Sequence, residues 1–409
     1  MSKLYLLYIL LFITSGISAK QKKVVYIVTD GIPTDYIERL KPKSIFEIAK
    51  HGAYSQAYTG GEIGNYSQTP TISAIGYMNI LTGTWMNKHN VNGNNNLKPN
   101  YQYWSIFRIA KEQKKEFSTA LYSSWSDNRT VLIGEKKSET KNLKIDYIFD
   151  GYELDKKKFP VLKDQLHIFR IDSLVAENAS SCIKENAPDL NWVYLWYTDY
   201  AFHLYGDSKF CDKYVIKTDE LIGKIWEAVK YREKFFDEEW LVIVTTDHGR
   251  NESGHSHGKQ SHRERNVWIS TNYKKVNEHF NKSDLSLVDI NPTICKFMDF
   301  DVPKDVLFEQ DGTPFIGKVD IKNLEVSYYD NNIIFNWDTV KRKSTKVDIY
   351  MSPTNNFLKQ GNDHWIKIGS VSSSKKEFIF NKNKYPKSKF YKFSFVSTNN
   401  HLNRWVICK

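Results

Sequence analysis

The sequence predicts an α/β domain with a mostly parallel sheet flanked by helices, followed by a small all-β sandwich. Three observations predict it. Short β-branched runs alternate with amphipathic helical patterns through residue 318. Acidic residues stand just past several of those runs, where the carboxyl ends of parallel strands gather ligands. Beyond Gly317 the helical patterns stop, and alternating strand patterns separated by Asn, Lys and Ser turns take over.

The chain begins with Lys3, the apolar run Leu4–Ile13 and the small-residue pattern Ile17-Ser18-Ala19. This order reads as an export signal over residues 1–19, cleaved after Ala19, so a periplasmic or secreted protein is expected. The run is short for a membrane span and no later run is longer, so no transmembrane segment is expected in the mature chain. Export permits disulfides. Of Cys182, Cys211, Cys295 and Cys408, the first two flank one strand region and form the favoured pair, although spacing alone does not fix pairing. No CxxC spacing points to thiolate metal sites.

The predicted strands are Lys23–Thr29, Ser118–Tyr122, Trp192–Tyr197 and Trp240–Thr245. Between them lie helical patterns over Ser44–His51, Ser105–Glu112, Asp172–Glu185 and Lys213–Tyr231. Residues 20–318 are therefore expected to form one catalytic-sized domain and residues 319–409 the sandwich. Sandwich strands are expected at Asn332–Trp337, Lys346–Met351, Trp365–Val371 and Phe390–Val396. An early Trp337 and a late Tyr391 resemble the fibronectin type III pattern. That domain has two open roles, packing beside the catalytic domain or contact with a surface glycan, and packing is the expectation.

The composition is that of a globular chain, 41% hydrophobic and 14% aromatic. The net charge of +11 comes from scattered lysines. They form no arm or motif of a nucleic-acid reader, and specific nucleic-acid recognition is not expected.

The chemistry is carried by separated segments. Asp199 and His203, four apart, share a face if the chain turns helically after its strand. Thr246-Asp247-His248-Gly249 follows the Trp240–Thr245 run, with Gly permitting a tight turn. His255, His257 and His262 lie in or beside a Gly/Ser-rich loop, and only one of them is needed as a ligand. Further back, Thr69–Asn94 places hydroxyl residues ahead of an apolar helical stretch ending at Thr82-Gly83. A nucleophile at the start of that helix would sit among free amides that favour an oxyanion and a bound phosphate.

With these motifs in this order, the chain resembles the alkaline phosphatase superfamily, nearer its nucleotide pyrophosphatase/phosphodiesterase branch. In that superfamily the nucleophile lies ten residues before the Gly of a Thr-Gly pair, which here selects Ser73. The branch also has a His and a Gly-Asn pair downstream, matched by His89 and Gly93-Asn94. Asp30 matches the first metal acid, and His257-Gly258 matches a late His-Gly. Val288–Thr293 is similar to a structural helix start of the superfamily. The resemblance implies one zinc held by Asp30, Asp247 and His248, with Ser73 beside it, and a second held by Asp199, His203 and His257. It implies that Asn94 donates to a phosphoryl oxygen, and that a phosphoseryl intermediate is later cleaved by water.

The implied activity is hydrolysis of phosphodiester or nucleotide pyrophosphate bonds in small substrates. The alternative is an alkaline-phosphatase-like monoesterase, because the branch usually has Thr where Ser73 stands. A monoesterase would need a further Arg or Lys, and only Arg129 and Lys156–Lys158 offer themselves; both read as surface residues. Ala74-Ile75-Gly76-Tyr77 lacks the pattern sulfatases need after their nucleophile. A phosphoethanolamine-type transferase and a non-catalytic surface-binding protein are weaker readings, and Thr71 is the fallback nucleophile.

Overall fold

The computed structural model describes residues 20–114, 116–280, 284–340 and 344–408. The expected export signal lies outside the described residues. β1 (Gln21–Thr29), β2 (Ala53–Tyr58), β3 (Thr119–Ser123), β4 (Tyr147–Phe149), β5 (Leu190–Leu195), β6 (Glu238–Thr246) and β7 (Asn266–Thr271) form one sheet in the order β2-β7-β6-β1-β5-β3-β4. β6, β1, β5, β3 and β4 run parallel, while β7 is antiparallel to both β6 and β2.

β1 is central and buried on both faces, which is why it reads as a continuous apolar run. Val24, Tyr26 and Val28 point into the layer under the helices Ser73–Thr82 and Ile290–Phe297. Val25 and Ile27 point the other way, under Lys43–His51, Leu166–Glu185 and Lys209–Phe235. The helices Leu166–Glu185 and Lys209–Phe235 each return the chain to the start of the next parallel strand. The ends of β1, β5 and β6 therefore share one edge, where Asp30, Asp199 and Asp247 stand.

The expected strands and helices are present, several shifted by a few residues. β5 stops at Leu195, and the chain enters the helix Tyr197–Tyr205 at once. β2 and β4 carry no distinct sequence signal: β2 is half-buried without a clean alternation, and β4 has three residues; β7, buried from Val267 to Thr271, is a short apolar run that sequence reasoning missed.

The favoured Cys182–Cys211 disulfide is not formed; all four cysteines are free. The helices carrying the two residues run in the same direction. Cys182 is in the last turn of Leu166–Glu185 and Cys211 in the first turn of Lys209–Phe235, so they lie at opposite edges of the sheet. Thiol titration in denaturant without reductant is expected to find all four; fewer would contradict the fold described here.

The C-terminal strands are β8 (Ile321–Tyr329), β9 (Asn332–Thr339), β10 (Lys346–Ser352), β11 (Ile366–Ser372), β12 (Glu377–Asn381), β13 (Phe390–Val396) and β14 (His401–Ile407). They form a three-stranded sheet β12-β9-β8 and a four-stranded sheet β11-β10-β13-β14. Trp337 packs on Phe395 in their shared core. The Tyr391 hydroxyl donates to Pro386 O (2.7 Å) and accepts from Ser388 N (2.9 Å), forming a tyrosine corner. The sandwich packs on the α/β unit: Lys88 reaches Asn403, and Lys392 reaches Glu309. Among the described residues no helix is long and apolar enough to cross a membrane.

Candidate active site

Ser73 is the first residue of the helix Ser73–Thr82, all of which is buried. Gly76 lets this helix lie directly on the end of β6: a Cβ there would come within 2.8 Å of Asp247. Ile72 supplies no side-chain cap. The backbone N–H of Ala74 instead donates to Asn94 Oδ1 (2.9 Å), which leaves the amide NH2 of Asn94 as its free donor end. The turn leading to Asn94 is pinned by His89, whose Nε2 meets Asn79 Oδ1 (3.0 Å) while Nδ1 accepts from Val91 N (3.1 Å). Burial lowers the His89 pKa to about 3, so it is neutral.

Ser73 Oγ lies 3.1 Å from His248 Nε2 and 3.5 Å from Asp30 Oδ1. Asp30, Asp247 and His248 converge on one point, all fully buried. His248 Nε2 is 3.3 Å from both Asp30 Oδ1 and Asp247 Oδ2. Its Nδ1 donates to Gly249 O (2.9 Å), which aims the Nε2 lone pair at the site. Asp247 Oδ1 accepts from Gly31 N (2.9 Å), whereas its Oδ2 is buried without a hydrogen bond.

Asp199, His248 and His257 form a second convergent group. His203 Nε2 joins it, 3.2 Å from Asp199 Oδ1 and 3.2 Å from His257 Nε2. His257 Nδ1 donates to Thr71 O (2.8 Å), so its Nε2 also faces inward. The His248 and His257 rings stack with centroids 3.7 Å apart, joining the two groups.

The charge balance fits bound cations. Burial and the neighbouring Asp30 push the Asp247 carboxyl well above its ordinary value. Burial opposes charge on His248, but Asp247 and Asp30 prevail and raise it to about 9. A divalent ion would take the place of such a proton, and the orphaned Asp247 Oδ2 has the lone pairs to hold one. Burial and His248 lower His257 to about 2, the neutral form a metal ligand requires. Burial works to raise Asp199, yet Arg250, His203 and His257 hold it well below the usual carboxylate range.

Each expected site residue thus lies in one cluster. The remaining candidates lie elsewhere. His255 is exposed, its Nδ1 against His203 O, and His262 is exposed on the short helix His262–Arg265. Thr71 donates its hydroxyl to Lys259 O (2.8 Å) and accepts from Gly258 N (2.9 Å), so it braces the His257 loop. Arg129 is paired with Asp150 and Glu135, and Lys156–Lys158 are exposed. Asp289 caps its own turn and accepts from His279, in keeping with a structural helix start.

Sequence reasoning missed Arg250, Tyr77 and Tyr194. Arg250 is fully buried and joins Asp199 Oδ1 (2.5 Å) to Gly31 O (3.0 Å). Gly31, at φ 65°, makes room: a Cβ there would lie 2.2 Å from Arg250 Nη2. The Tyr77 and Tyr194 hydroxyls both donate to Asp30 Oδ2, the latter at 2.7 Å. Tyr77 stands one turn after Ser73, a spacing that could have flagged it. Tyr194 within a strand reads only as core.

The family model for type I phosphodiesterase / nucleotide pyrophosphatase matches residues 24–296, more than half of the chain. No curated protein matches the sequence. Among solved structures, Ps i-CgsB is 15% identical, with 78% of this chain and 86% of that one covered and a TM-score of 0.51. A putative sulfatase from Bacteroides thetaiotaomicron is 12% identical, with 89% and 86% covered and a TM-score of 0.50. Human ectonucleotide pyrophosphatase/phosphodiesterase 5 is 11% identical, with 71% and 97% covered and a TM-score of 0.49. The first two of these likenesses show a shared fold, and the family match is carried by sequence: the chain belongs to the type I phosphodiesterase / nucleotide pyrophosphatase family.

Proposed function

We propose that the chain is an exported two-zinc hydrolase that cleaves phosphodiester or nucleotide pyrophosphate bonds of small substrates, with residues 20–318 as its catalytic domain and residues 319–409 as the sandwich. The observation that carries this is Ser73 Oγ at the head of a buried helix, 3.1 Å from His248 Nε2 in a group of inward-facing carboxylates and imidazoles. Asp30, Asp247 and His248 would hold one ion, and Asp199, His203 and His257 the other. Mixed Asp/His donors suit zinc. When bound, the ions supply Lewis acidity that lowers the pKa of Ser73 and offsets charge on the entering and leaving oxygens.

Ser73 Oγ, its proton lost to solvent, forms the new P–O bond as the leaving oxygen departs, and water later cleaves the phosphoseryl diester so formed, freeing Ser73 and the substrate's remaining phosphoryl half. The NH2 of Asn94 and the backbone N–H of Ser73 meet the non-bridging oxygens, while the Ala74 N–H stays on Asn94 Oδ1. Tyr77 and Tyr194 hold the Asp30 carboxylate at a fixed angle. The diester is favoured because Arg129 is paired with Asp150 and Glu135, while Arg250 is fully buried behind the site, with Nε on Gly31 O and Nη2 on Asp199.

The test is a panel of nucleotides, bis-p-nitrophenyl phosphate and p-nitrophenyl phosphate, assayed before and after chelation. Diesters or pyrophosphates are expected to turn over faster than the monoester. A strong monoester preference would make the chain a phosphatase instead. Chelation is expected to abolish turnover and lower the melting temperature, since the buried Asp30 and Asp247 carboxylates lose a counter-charge, whereas Asp199 keeps Arg250. Zinc should restore both, and full turnover after complete metal removal would refute the metal assignment.

A further inference from the structure

The helix Tyr197–Tyr205 carries Asp199 and His203, yet its N-cap residue, Trp196, makes no side-chain cap. The cap comes from another helix. Asp172, on Leu166–Glu185, accepts from Trp196 N on Oδ1 (2.9 Å) and from Tyr197 N on Oδ2 (2.8 Å). Asp172 Oδ1 also accepts the hydroxyl of Ser124 (2.5 Å), just past β3. One carboxylate thus ties the end of β3, the end of β5 and the start of the Asp199 helix.

Asp172 is fully buried, and burial pushes its carboxyl up to about 7 against the pull of these three donors. An apolar side chain would fill the space without that cost but would leave three buried donors unpaired.

We propose that Asp172 is the positioning residue of the Asp199–His203 half of the site, fixing the helix that brings both side chains to the second cation. The inference rests on the metal reading above. Asp199 is in the first helical turn, so any shift of that turn moves it directly. Asn at position 172 replaces one acceptor oxygen by an NH2 that faces a donor, which disturbs that turn with almost no change in volume.

A matched control exists in the same molecule. Asp219 caps the helix Lys43–His51 from outside in the same way, accepting from Ser44 N (2.9 Å) and Ile45 N (2.8 Å). That helix bears no site residue. Asp172→Asn and Asp219→Asn are to be compared in the full chain by thermal melting, zinc titration and the visible spectrum of the cobalt(II)-loaded protein.

Both variants are expected to melt lower by similar amounts. In Asp172→Asn alone, one of two metal equivalents should weaken by about tenfold or more, with a changed cobalt spectrum. Metal binding identical in Asp172→Asn, Asp219→Asn and wild type would overturn the proposal, as would equal weakening of both equivalents. If Asp172→Asn fails to fold, Ser124→Ala removes a single donor and should weaken the same equivalent to a smaller degree; unchanged binding there would count against the proposal. Wild-type protein that takes up no cation would refute the metal reading itself, and this assignment with it.

Discussion

Ser73→Ala is expected to lower diester turnover by at least about 10³-fold while leaving metal content and melting temperature nearly unchanged. The change removes one oxygen whose partners among the described residues are His248 Nε2 and Asp30 Oδ1. Ala is the best helix former, so the first turn is kept, and the deleted atom is too small to leave a costly cavity. No neighbouring hydroxyl can take over. Thr71 is spent on Lys259 O, and its carbonyl holds His257. Turnover by the variant under saturating zinc, with melting curves recorded in parallel, is the measurement. Residual activity above a tenth of wild type would mean that water attacks directly or that another group is the nucleophile.

The fold was legible where burial produces an unbroken pattern. β1 is buried on both faces, so Lys23–Thr29 reads as a parallel-sheet strand without any context. The half-buried edge strand β2 and the three-residue β4 carry no such pattern, because their contacts lie with distant segments. The candidate site was legible because Asp30, Asp247 and His248 stand at strand ends and Asp199 shortly past one, where Asp and His break apolar runs. What supports the ligands was not legible. Tyr194 is an aromatic in a strand, and only the fold shows that its hydroxyl meets Asp30. Arg250 directly follows Gly249, but its burial against Asp199 depends on the absent side chain of Gly31. The disulfide expectation failed for a related reason: nearness to a strand in sequence says nothing about which end of a long helix a cysteine occupies.

Lys392→Met is expected to destabilise the whole chain by about 3–5 kcal/mol, the cost of leaving a buried counter-charge unpaired. Lys392 is 1% exposed and serves two carboxylates, Glu309 and Asp363, which are 2% and 1% exposed. Burial pushes the Glu309 carboxyl up in spite of Lys392; at Asp363 burial pushes the same way, but the Lys392 hydrogen bond prevails and lowers it. Glu309 stands ahead of β8, whereas Lys392 is in β13, so the pair fastens the sandwich to the α/β unit. Lys88 repeats the device from the other side, with Asp311 (2.6 Å), Glu309 O (2.7 Å) and Asn403 Oδ1 (3.0 Å). Total stabilities are only about 5–15 kcal/mol, so this single change should be plain in a denaturant melt. Deleting residues 320–409 removes Lys392 and Asn403 together and leaves Glu309 and Lys88 without them, so loss of folding is expected before any loss specific to the chemistry of the candidate site. A truncated chain that melts as the full chain does, yet no longer turns over substrate, would instead give the sandwich a direct part in catalysis.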